Sequence, residues 1–282
     1  MKKFVLTLAS IAMSVAMVSA QDLESATNLY NSAAEKLNAG NKTEALAAFK
    51  TALEAGSALG EDGSEIVANC KNVIPNLALS IAKDVLKDKD YDGAITKINE
   101  AVAIAKEYGD ADIVSEGESL LPQVNSMKYL MAGMDAYKTK DFAAAIDNMG
   151  KVLAIDSTNA NASKIIGASY LQEAVASLKG GKFQDAIDHA AASAKYTDNA
   201  QAYLIAGQAA TKLKDNNQAI EYYTKYLAAA PTAKNADGIA FTVAALYQQA
   251  GNKANAIKYY KMVPATSQYA AQAKQLVESL SK

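Results

Sequence analysis

Beyond residue 24 apolar residues recur at spacings of three and four, first over residues 26–37 and then over 43–55. That spacing gathers apolar side chains on one face of a helix, whereas a half-buried strand would alternate them in twos. Sustained alternation is absent and β-branched runs are short, so the pattern predicts an all-α protein. Breaks punctuate it at Gly40-Asn41, Gly60-Glu61-Asp62-Gly63, Lys89-Asp90, Gly109-Asp110, Lys140-Asp141, Gly180-Gly181, Asp215-Asn216-Asn217, Pro231-Thr232 and Gly251-Asn252. Such residues stop helices and form turns, and they cut the chain into about twelve helices paired as about six antiparallel hairpins.

The hairpins share a register. After each short turn an Ala followed by an aliphatic residue opens the second helix, with the alanines at Ala45, Ala94, Ala145, Ala186, Ala219 and Ala256. One turn further on stand Phe49, Ile98, Met149, Ala190, Tyr223 and Tyr260. Twelve residues before each alanine, on the first helix, stand Ala33, Ala82, Gly133, Ala174, Gly207 and Ala244, all glycine or alanine. Antiparallel helices approach to about 8–10 Å or nearer only where facing side chains are small. The columns of small residues are therefore expected at the helix contacts, with the bulky residue filling space against the neighbouring hairpin.

A small residue, an alanine twelve positions on and a large apolar residue four beyond that together resemble the tetratricopeptide repeat family. Residues 200–231 fit best, with Tyr203, Gly207, Ala219, Tyr223 and Pro231 in the family's slots. Residues 237–264, with Tyr247, Ala256 and Tyr260, and residues 128–159, with Gly133 and Ala145, are further copies. The resemblance implies a right-handed α-solenoid and a role in protein–protein contact. It is uneven. Successive anchor alanines lie 49, 51, 41, 33 and 37 residues apart, against the family's period of about 34. The excess is expected in long helices over 64–87, 112–138 and 161–179, with Pro75 and Pro122 kinking or restarting the first two. Residues 21–282 then form one helical-repeat domain, with enlarged hairpins over 21–126 and more regular repeats over 127–282.

Residues 1–20 read as a secretory leader. Lys2 and Lys3 precede an uncharged apolar stretch from Phe4 to Val18, and Val18-Ser19-Ala20 places small residues where cleavage before Gln21 is expected. That stretch is shorter than the roughly 20 residues that span a bilayer, and no later segment is apolar enough to span one. The expected product is an exported, soluble protein of a bacterial periplasm or medium.

Composition narrows function. All 28 basic residues are lysine, set against 30 acidic residues. A near-neutral chain without arginine has neither the basic footprint nor the planar fork suited to nucleic acid. One Cys and one His cannot make an ordinary zinc site. Cys70, within a helical pattern, reads as a small buried hydrophobe, and His189 as a histidine on a solvated helix face. With no nucleophile motif and no phosphate loop, no catalytic residue, cofactor or metal is assigned.

Binding is the expected activity. Seven residues before each anchor alanine stand Asn38, Lys87, Lys138, Lys179, Lys212 and Gln249, four of them lysines in consecutive repeats. They form either a cationic ladder for an acidic peptide or helix-end charges that complement the dipole. The lysine and asparagine set with which the best-known family members clamp an acidic tail is not matched. Leu130, Met134, Leu204, Gln208 and Phe241 fall on the first-helix face that would line a concave groove, where apolar residues suit an amphipathic helix or extended peptide. The expected function is a non-enzymatic adaptor or scaffold binding a protein or peptide of the cell envelope. An accessory to an outer-membrane machine is the first rival, and a small-ligand-binding or enzymatic repeat domain the second.

Overall fold

The computed structural model describes residues 20–282, so the leader assigned to residues 1–20 lies, but for its last residue, outside the described residues. Among the described residues the fold is all-α, with thirteen α-helices, one 3-10 turn at Gly60–Gly63 and no strand. It divides into two compact units that meet at residues 128 and 129.

The N-terminal unit holds helices α1 (Ala20–Asn38), α2 (Lys42–Ala58), α3 (Ser64–Lys87) and α4 (Tyr91–Tyr108), and α5 (Ala111–Lys138) begins within it. Each of the first three packs on the next. Phe49, Ile66, Cys70 and Ile74 centre one core cluster, and Leu79, Ile98, Ala101 and Val124 centre a second. Pro75 and Pro122 lie inside α3 and α5, and neither restarts its helix. A proline ring costs the helix one hydrogen bond. At Pro75 the ring is also buried, so packing offsets that loss.

The C-terminal unit takes the end of α5 and continues with α6 (Phe142–Ile155), α7 (Ala160–Lys179), α8 (Phe183–Tyr196), α9 (Ala200–Leu213), α10 (Asn216–Ala229), α11 (Ala236–Gln249), α12 (Lys253–Tyr260) and α13 (Ala270–Leu280). From α6 onward each helix packs on its successor. The thirteenth helix exceeds the pairwise count expected from sequence. It has no partner of its own and lays Ala273, Leu276, Val277 and Leu280 against the Ala244, Ala256 and Tyr260 cluster of the last hairpin.

Helix lengths explain the uneven spacing of the repeats. The first helices α3, α5 and α7 run 24, 28 and 20 residues, whereas α9 and α11 run 14 each.

Candidate interaction surface

The packing columns set the frame on which any surface is displayed. All six anchor alanines have no exposed surface. The six small residues twelve positions earlier and the six residues four positions later are buried as well. Where the small residue is glycine, the structure shows what it admits. A Cβ at Gly133 would stand 2.8 Å from Cε of Met149, and one at Gly207 would stand 2.5 Å from Cδ1 of Tyr223. The bulky residue therefore packs on the small residue of its own hairpin, and it also meets the next hairpin as the sequence suggested, with Phe49 in one cluster with Ile66 and Met149 in one with Ile166. Tyrosine at that slot also needs a polar partner for its hydroxyl. Tyr223 meets the Thr211 hydroxyl at 3.2 Å, and Tyr260 donates to Oε1 of Gln248 at 2.9 Å.

Turn geometry adds a column that residue type alone does not announce. Five residues before each anchor alanine stand Gly40, Lys89, Lys140, Gly181, Lys214 and Gly251, and all six have φ between 62° and 86°. This left-handed conformation closes a helix, costs glycine little and strains a residue bearing a Cβ. The next position caps the second helix. Asp90, Asp141, Asp215 and Asn252 each accept a backbone N–H from three residues on, at 2.9–3.1 Å. Asn41 and Lys182 occupy the same position without a side-chain cap.

On this frame the position seven before the anchor is exposed in all six hairpins. Lys87, Lys138 and Lys179 lie at the ends of their helices and Lys212 in the last turn of its own, where a positive charge meets the carbonyl end of the dipole. Lys87 pairs with Asp84 at 2.6 Å and Lys138 with Asp135 at 3.1 Å, each a partner on its own helix, while Lys179 and Lys212 form no ion pair among the described residues. Asp84 is held below the usual carboxylate range, first by its hydrogen bond from Lys42 of α2 and then by that from Lys87.

The apolar candidates fare differently. Leu130 and Met134 are half-buried against Met149, Val152 and Ile166. Leu204 is a correction: only 7% exposed, it packs in one cluster with Ala186 and Ile187 of α8 and presents almost no surface. Gln208 is exposed. Phe241 is half-buried between two rings, edge-on to Tyr260 and stacked on Tyr269, both at 5.2 Å. The approach to α13 thus covers a side chain that sequence placed in a groove.

His189 corrects another expectation. It is half-buried, with Nδ1 3.3 Å from the Ser177 hydroxyl and its ring tilted against Tyr170 at 6.3 Å. A hydroxyl and a phenol ring are its neighbours there. Cys70 is buried, and burial pushes its thiol up to about 12. Among the described residues no group of three His, Cys, Asp or Glu side chains is arranged to hold a metal, and no helix is long and apolar enough to cross a membrane. A cleft of about 560 Å³ between α12 and α13 is lined by apolar side chains such as Tyr260, Val263 and Val277 together with Lys261, Lys274 and Glu278.

Comparison with known proteins gives one family match: the tetratricopeptide repeat model matches residues 200–232. No curated protein matches the chain. Among solved structures, the TPR2AB domain of yeast Sti1 in complex with pHSP90 is 17% identical, with 92% of this chain and 99% of that one covered and a TM-score of 0.36. MamA is 20% identical over 71% of this chain and 96% of its own, with a TM-score of 0.30. The Arabidopsis OM64 TPR domain is 23% identical over 40% of this chain and 89% of its own, at a TM-score of 0.28.

Proposed function

We propose that this chain, which carries a tetratricopeptide repeat at residues 200–232, is a non-enzymatic scaffold that binds a polypeptide partner along the exposed face of its first helices. Tetratricopeptide repeats are protein–protein interaction modules, and the repeat supplies the physical means. In six successive hairpins the same three positions are buried while the position seven before the anchor is exposed. That regularity is the observation that carries the reading. Within the C-terminal unit it holds side chains at equivalent places on successive first helices, which is what recognition of an extended or helical peptide requires. Lys138, Lys179 and Lys212 give that row a positive character suited to an acidic segment, and Lys87 holds the equivalent place in the N-terminal unit. Gln208 and the half-buried Leu130 and Met134 add polar and apolar contacts beside it.

The leader pattern of residues 1–20 supports a site of action in a bacterial cell envelope, after cleavage before Gln21. N-terminal sequencing of the protein recovered from cells tests that part: a start at Gln21 agrees, and an intact Met1 in a membrane fraction refutes it.

Capture tests the binding reading. With Lys138, Lys179 and Lys212 all changed to Gln, partner recovery by the tagged protein is expected to fall severalfold with an unchanged circular dichroism spectrum. Undiminished recovery would return the lysines to helix-end electrostatics alone.

A further inference from the structure

Charge is divided unevenly between the two units. Residues 20–128 hold 10 lysines against 18 Asp and Glu, and residues 129–282 hold 16 lysines against 12. The near-neutral chain is thus an acidic unit of formal charge −8 joined to a basic unit of +4.

Topology concentrates each imbalance on an edge. Within the C-terminal unit, consecutive antiparallel helices pack in order, so the turns inside hairpins line one edge. Lys140, Lys179, Lys182, Lys212, Lys214 and Lys253 stand in or beside these turns, all exposed and none in an ion pair among the described residues. Lys138 joins them, paired with Asp135. Of the other carboxylates there, Asp141 and Asp215 are already engaged by the N–H groups of Ala144 and Gln218, which leaves Asp185. Within the N-terminal unit, taken by itself, the loops between hairpins lie at the edge away from that unit's own turns. Glu61, Asp62 and Glu65 surround the first such loop, and Glu107 and Asp112 the second. All five are exposed and form no ion pair among the described residues, while Lys106 beside them is taken by Glu118 at 2.8 Å.

We propose that the lysine turn edge of the C-terminal unit docks the acidic loop edge of the N-terminal unit of a second copy of this chain. The contact is heterologous, one edge meeting a different edge, and repeated it builds a head-to-tail chain of protomers. Complementary charge is what the page offers for this occupant: each edge carries side chains whose charges are unmet within its own unit, and one contact serves both. An anionic membrane fits less well, because it would attract the +4 unit while repelling the −8 unit to which it is joined. Contacts among exposed charges are screened within about 8–10 Å at physiological salt, so the association is weak and strongly salt-dependent.

Sedimentation velocity of the full chain across about 1–100 µM, at about 20 mM and about 500 mM NaCl, tests this. The expected result is concentration-dependent association at low salt that weakens at least about tenfold at high salt. Two charge reversals then identify the edges: Lys140→Glu with Lys182→Glu and Lys214→Glu on one side, and Glu61→Lys with Asp62→Lys and Glu65→Lys on the other. These lysines are separate from the peptide-binding candidates, so failure here leaves the capture experiment independent. Each triple variant alone is expected to lose self-association, and an equimolar mixture of the two is expected to regain it. Circular dichroism and melting confirm folding first, and Lys182→Glu with Asp62→Lys serve as single changes if a triple variant unfolds. A chain that stays monomeric at low salt, association indifferent to both reversals, or a mixture that fails to associate would overturn the proposal. So would binding of the monomeric chain to phosphatidylglycerol vesicles lost on reversal of the lysines, which would assign that edge to lipid.

Discussion

A Cβ at Gly207 would come within 2.6 Å of two carbons of the Tyr223 ring, and that ring is itself only 4% exposed. Overpacking at such a contact costs about 1–3 kcal/mol. Gly207→Leu is accordingly expected to lower the melting temperature by several degrees, read by circular dichroism, and an unchanged curve would break the pairing of these two columns. The small-residue columns were legible in the sequence because size is the property the helix contact selects. The left-handed turn column was not. Gly40, Gly181 and Gly251 announce it, but Lys89, Lys140 and Lys214 hold the same conformation at φ of 62–65°, and lysine carries no signal for it. Only register places them. Since a side chain is strained there, Lys214→Gly is expected to stabilise the protein by roughly 0.5 kcal/mol. The measurement is a shift of the urea midpoint, and destabilisation would mean that the Lys214 side chain contributes more than its backbone costs.

Element lengths followed in the main from sequence once the spacing of the anchors had been compared, because most of the extra residues fell in α3, α5 and α7, with a few more in α2 and α4. The thirteenth helix was missed because hairpins are found in pairs, and after the break at Pro264 a single helix follows without a partner or an anchor alanine phrase. Leu204 was misplaced for a related reason: its slot faces outward on an isolated hairpin, yet α8 packs over it. Between elements, α2 and α3 share the ion pair of Lys42 with Asp84, whose side chain is 40% exposed. The folded state lowers the Asp84 pKa. Its contribution is therefore present above the unfolded value near 3.9 and is lost as pH falls through the lower folded value. At that exposure it amounts to less than about 1 kcal/mol. Lys42→Met is thus expected to lower the urea midpoint slightly at pH 6 and not at all once the pH has fallen below the folded value. A deficit that persists at the lowest pH would show that the Lys42 stem contributes by packing instead.

At the scale of the whole molecule, the even balance of lysines and carboxylates concealed the charge division, which emerges only when the boundary at residue 128 is known. The exposed ladder was legible because each lysine closes or nearly closes its helix. What it meets was not, since the same residues suit helix ends and acidic partners alike. The central claim is that this regular row receives a polypeptide. In-cell photo-cross-linking tests it most directly, with a photoreactive residue placed in turn at Lys138, Lys179 and Lys212 and the adducts sized and sequenced. The account predicts a dominant adduct with one different protein at all three positions, over a weaker one with a second copy of this chain, whose proposed docking edge runs beside the same lysines. Adducts formed only with this chain itself, or none at any position, would contradict it.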